Sequence, residues 1–141
     1  MAKTNQVPFT RTVSHRVGVV GTAGNDLESV VHVVDLGATG ATGLVTVVGY
    51  VPDTAQAGAN TNSRTVTLYD RGAAGAGTTK IAELALTSGV DLAAYVEKAI
   101  TLQAAANLAI THGDVLAWKS LHVGTGIADP GGLLRIAYTR D

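Results

Sequence analysis

Four histidines, a serine close to one of them and eleven acidic residues are the side chains of this 141-residue chain that could move a proton, hold a metal or attack a carbonyl. His15, His32, His112 and His122 show no local two-histidine spacing of the kind that lines up zinc ligands on a helix, so they read first as structural, exposed or interfacial groups. Two convergences are open to them: His112 with Asp114, and His122 with Asp129 if the intervening loop folds back. Ser120 stands two places before His122 and shares its side of a strand, but no nucleophile elbow surrounds it. Asp26 with Glu28, and Asp53 with Asp129, are carboxylate pairs that would do acid–base work only if folding brought them together. The absence of cysteine excludes disulfides, thiolate metal sites and a cysteine nucleophile.

The glycine clusters give little more. Gly18-Val19-Val20-Gly21-Thr22-Ala23-Gly24 has the wrong glycine spacing for a dinucleotide loop, and Asn25-Asp26 interrupts any helix after it. Lys80 follows Thr78-Thr79 rather than a phosphate-cradling loop. No cofactor is therefore expected. Ten Lys and Arg against 11 Asp and Glu leave a net charge of -1, which provides no field for a nucleic-acid backbone or an anionic membrane. The tyrosines, Trp118 and Phe9 are too scattered for a base-stacking series. Neither an N-terminal signal-like run nor an apolar stretch of membrane-spanning length is written in the chain, so no nucleic acid and no membrane are expected as direct partners.

Any site must be held by strands. Charged residues make up 15% of the chain against 46% hydrophobic, and 17 glycines punctuate it, a pattern of short β segments between small-residue turns in one domain. Residues 1–16 read as a polar arm with Lys3, Arg11 and Arg16 but no acid, and residues 17–141 as the folded domain. Eight strands are predicted: 16–20, 28–34, 43–51, 63–69, 79–86, 96–102, 114–123 and 133–139. Val66 and Leu68 oppose Thr65, Thr67 and Tyr69, a clear division between core and surface. Residues 91–110 carry two patterns, reconciled by a short helical turn over Leu92 to Tyr95 before a strand. The expected architecture is an all-β, jelly-roll-like antiparallel sandwich with an extended N-terminal arm.

Alternation within residues 114–123 puts Leu116, Trp118, Ser120 and His122 on one side, which makes Trp118 the candidate core anchor and gives its indole N–H a need for an acceptor. Asp129-Pro130-Gly131-Gly132 joins a preset proline dihedral to permissive glycines and predicts a tight reversal.

The segments NTNSRTVTL (Asn60 to Leu68), ALTSGV (Ala85 to Val90), GDVLAWKS (Gly113 to Ser120) and HVGTGIADPGG (His122 to Gly132) resemble small structural proteins of tailed bacteriophages, above all the head decoration, or capsid cement, proteins. The resemblance spans roughly residues 17–140 through short motifs of moderate specificity. It implies a non-enzymatic sandwich on the outer surface of the phage head, made in the host cytoplasm. Its partner would be the major capsid protein, and it would form a homo-oligomer, a trimer before other states. No catalytic residue carries over. Phe9, Arg11 and Arg16, placed in the basic arm, are the candidate capsid or inter-subunit contacts. A tail or fibre module, a receptor- or glycan-binding sandwich using Tyr50, Tyr69, Asn60 and Asn62, and a small β-fold hydrolase using His122 and Asp129 remain as alternatives.

Overall fold

A computed structural model describes residues 9–141. Its strands are β1 (Thr10–Val17), β2 (Leu27–Val33), β3 (Thr42–Pro52), β4 (Ser63–Asp70), β5 (Thr79–Ala85), β6 (Lys98–Ala99), β7 (Thr101–Leu102), β8 (Ala109–Thr111), β9 (Val115–Val123) and β10 (Gly132–Arg140), with a single 3₁₀ turn at Ala105–Leu108. One sheet runs β1-β10-β3-β6 with β8 also on β3, and the other β2-β9-β4-β5-β7. Every pairing between strands is antiparallel, and the pairings nest: β1 with β10, β2 with β9, β3 with β6 and β8, β4 with β5. Such nesting is a long hairpin rolled over on itself, the jelly-roll form of the two-sheet sandwich.

The core lies between the sheets. Period-two alternation delivers Val48 and Tyr50 from β3, Val66 and Leu68 from β4, Leu116 and Trp118 from β9, and Leu134, Ile136 and Tyr138 from β10, all buried. Each large apolar side chain withdrawn from water contributes about 1.5–3 kcal/mol, and the nonlocal pairing makes those contributions interdependent.

Two expectations change. Thr10 to Arg16, read as part of an arm, form most of β1, which lies in full register along β10; the strand expected at 16–20 ends at Val17. Arg11 and His15 occupy inward positions beside Val13 and Val17, so polar ends on long or flat side chains concealed the alternation. The part of the arm at residues 1–8 lies outside the described residues. In the second case, Leu92 to Tyr95 form no helical turn: Leu92 bridges Gln56, and a tight turn closed by Val96 N–H on Ala93 O (3.2 Å) holds Tyr95 at φ 60°. The strand expected at 96–102 is split at buried Ile100, because Lys98–Ala99 pair with β3 in one sheet and Thr101–Leu102 with β5 in the other. This segment crosses between the sheets and closes one side of the sandwich.

Candidate functional site

The inward faces of three strands bring polar groups together inside the sandwich. Arg64 shares the inward side of β4 with Val66 and Leu68, Ser120 that of β9 with Trp118, and Tyr50 projects inward from β3; all are buried, as is Asp129 from the extended segment before β10. The Arg64 guanidinium donates to the carbonyls of Ile127 (2.7 Å), Ala23 (2.9 Å) and Asn25 (3.0 Å), and to Ser120 Oγ at 3.2 Å. Ser120 Oγ donates to Asp129 Oδ2 at 2.6 Å, while Asp129 Oδ1 accepts from Tyr50 OH at 2.7 Å and from Gly131 N–H at 3.0 Å. Burial pulls the Arg64 pKa down, whereas burial and the Asp129 carboxylate push Tyr50 far up, so its phenol stays a donor. The network satisfies buried charge and clamps the loops at 23–25 and 127–131 onto the strands. Ser120 is fully occupied and sealed from solvent, which rules it out as a nucleophile in this geometry.

The pairs proposed for catalysis are separated by partners of their own. His122 Nδ1 meets Asp26 Oδ1 at 2.6 Å, and the His122 backbone N–H reaches the same oxygen at 2.8 Å, while Asp129 stays in the buried network. Those bonds hold the Asp26 carboxyl below its ordinary pKa, the backbone N–H contributing most. Glu28 pairs with Arg71, and Asp53 with Arg16. His112 Nδ1 accepts the Leu36 N–H at 3.0 Å, and Asp114 Oδ2 caps the Thr111 N–H at 2.8 Å.

Each candidate contact also has a described environment. Phe9 is half-buried against the core, with the Arg11 guanidinium 5.4 Å from its ring centroid and bonded to Asp35 at 2.9 Å. Arg16 makes a two-pronged contact with Asp53, at 3.2 and 2.5 Å, at the opposite end of β1. Trp118 anchors the core as expected, its ring 5.5 Å from that of Tyr50. The acceptor its indole N–H called for is missing: Nε1 has no hydrogen-bond partner among the described residues. The reversal expected at Asp129 to Gly132 is not there: Asp129 bridges Val20 in the register that pairs Gly132 with Val17, so this segment runs extended along the end of β1, and the chain turns earlier, where Gly126 N–H bonds Val123 O at 3.1 Å. Asp129 Oδ1 on Gly131 N–H and Gly131 at φ 71° make only a local kink. Of the proposed sugar-binding groups, Tyr50 is buried, and Tyr69 lies beneath the Arg71 guanidinium 4.3 Å from its ring centroid. Asn60 and Asn62 spend their side-chain oxygens on the N–H groups of Ser88 and Thr125.

Three features escaped the sequence reading. Arg64 was discoverable, since it precedes Val66 by two on the inward side of a strand already assigned. Asp70 has its pKa pushed up to about 6 by burial and by Asp114, against the Gly72 N–H that binds its carboxylate. His15 and His32 meet across the two sheets, Nε2 to Nδ1 at 3.3 Å, and His32 Nε2 continues to Tyr138 OH at 2.9 Å. Burial, with His15 and Arg11 nearby, lowers the His32 pKa. Nothing local in the sequence joins residues 17 and 106 positions apart.

On the surface, Tyr95, Val96 and Val19 stand 81%, 58% and 67% exposed at one end of the first sheet. Tyr95 N–H bonds Pro52 O, Pro52 pairs with Gly132, and Val19 packs beside Gly131, so they flank the same strand ends. Among the described residues, no three His, Asp or Glu side chains gather into a metal-holding set, and no helix is long and apolar enough to cross a membrane. No family model, curated protein or solved structure matches the chain.

Proposed function

We propose that this chain is a non-enzymatic structural protein of a bacteriophage particle, bound to the outer surface of the assembled head and bridging neighbouring copies of the major capsid protein. Jelly rolls serve shells and sugar-binding proteins alike, so the fold by itself does not choose. The observation that carries the reading is the apolar rim of Val19, Tyr95 and Val96, on which a bulky side chain is held in solvent at a positive φ. Burying an exposed tyrosine and two valines against a partner yields the anchor contacts typical of interface centres, with the neighbouring Arg16–Asp53 pair as a polar border. A body cross-tied by the Arg64 network keeps that rim in fixed geometry. Repetition around a cyclic oligomer, a trimer in this reading, then converts weak contacts into firm attachment and stabilises the closed shell over separated subunits.

Co-sedimentation with undecorated heads tests the proposal. The intact chain saturates them at a fixed ratio to the capsid protein and raises the temperature at which they rupture. Tyr95→Ala with Val96→Ser weakens attachment at least tenfold. Failure of the folded, intact chain to bind heads overturns the reading.

A further inference from the structure

The open side of the sandwich, where the outermost strands of the two sheets face each other, carries a preformed pair of imidazoles. Among the described residues β1 has only β10 as a strand neighbour and β2 only β9, and His15 and His32 project from them into the gap, both half-buried. Their facing nitrogens, His15 Nε2 and His32 Nδ1, stand 3.3 Å apart with ring centroids at 5.3 Å. Two imidazole nitrogens bound to zinc at ~2.0–2.1 Å with a tetrahedral angle stand about 3.3–3.4 Å apart, and their ring centroids about 5.2 Å. A cis pair in a square plane would stand only about 2.8 Å apart, which disfavours the geometry preferred by Cu²⁺. We propose that His15 Nε2 and His32 Nδ1 form a two-histidine site for Zn²⁺ that clasps β1 to β2, its remaining positions taken by water.

The surroundings are those of a supported ligand. A metal-binding histidine gives its other ring N–H to an acceptor that fixes tautomer and orientation. His32 Nε2 lies 2.9 Å from Tyr138 OH, which in turn lies 3.4 Å from the Asp35 carbonyl, so His32 Nε2–H can donate to the phenol and the phenol to the backbone. Zinc at Nδ1 requires this tautomer. Among the described residues the cation beside the pair, Arg11, is matched by the Asp35 carboxylate at 2.9 Å, which itself accepts the Gly37 N–H. Without metal, His15 Nε2–H donates to His32 Nδ1; when zinc binds, that proton leaves Nε2 to solvent while His15 Nδ1 takes one up, so both rings stay neutral and both facing nitrogens offer lone pairs with little movement of either ring. Two protein ligands make a weaker site than the four of a structural zinc centre, with a dissociation constant on the order of 10–100 µM.

Zinc sulfate titrated into the purified full chain, followed by calorimetry and by the ring ¹⁵N resonances, tests this. About one Zn²⁺ per chain is expected, with the largest shifts at His15 Nε2 and His32 Nδ1, an upward shift in melting temperature, and no comparable response to Mg²⁺ or Ca²⁺. His15→Gln and His32→Gln each weaken binding at least tenfold, whereas His122→Gln leaves it unchanged. The ring resonances of the unaltered protein report the site even if a variant folds poorly. Absence of saturable binding, undiminished affinity in folded His15→Gln, or zinc shifts centred on His122 and Asp26 would each overturn the assignment.

Discussion

Arg64 and Asp129 are both buried and opposite in charge, yet they meet through the Ser120 hydroxyl, 3.2 Å from the guanidinium and 2.6 Å from the carboxylate. Ser120→Ala therefore leaves an N–H and a charged oxygen short of a partner at once, and it should cost about 3 kcal/mol in urea unfolding. Ser14→Ala, on the exposed face of β1, should change stability by less than about 0.5 kcal/mol. Equal effects at the two positions would remove the hydroxyl's bridging role.

Tyr50 offers a second cut into the same network. Tyr50→Phe keeps the ring against Trp118 and deletes only the donor to Asp129, so a loss of about 2 kcal/mol is expected with near-native near-UV circular dichroism. A neutral result would mean that water replaces the phenol.

Stability and attachment should separate at Tyr95. Asparagine tolerates the left-handed backbone better than tyrosine, so Tyr95→Asn should raise unfolding free energy by about 0.5–1 kcal/mol. The same change should weaken binding to heads. A variant both less stable and fully binding would contradict the strain and the contact together.

Asp70 supplies a pH signature. Its folded pKa, about 6, lies above its ordinary 3.8, so its contribution is fully present below 3.8 and is lost as pH rises through 6. Between pH 4 and 7, the wild-type chain should lose on the order of 1 kcal/mol relative to Asp70→Asn, after allowance for solvent screening. Asparagine retains an oxygen for the Gly72 N–H, which isolates the charge. A stability difference that does not vary over that range would show that neither burial nor Asp114 raises the Asp70 pKa.

Two glycines with similar backbone angles should respond differently. At Gly126 (φ 76°) a Cβ would lie 2.1 Å from the Ala23 carbonyl oxygen, which Arg64 also uses, and at Gly40 (φ 82°) it would meet open space. Gly126→Ala should cost about 3 kcal/mol or more, and Gly40→Ala about 1 kcal/mol, in the same unfolding assay.

The sequence by itself determined the β class, most strand positions and the burial of Trp118; the reversal it placed at Asp129 to Gly132 lies upstream, at Gly124 to Gly126. The first three rest on short-range rules, alternation along a strand and the entropy of glycine, whereas the fixed dihedral of Pro130 did not locate the turn. The same rules misplaced Thr10 to Arg16, because Arg11 and His15 interrupt the apolar pattern that β10 completes from more than a hundred residues away. Only the tertiary structure decided that Ile100 is where the chain changes sheets, that Ser120 faces Asp129 rather than a substrate, and that His15 meets His32. Those relations come from which strands become neighbours when the hairpin rolls up, and that choice minimises exposed apolar area over the whole chain rather than over any one segment.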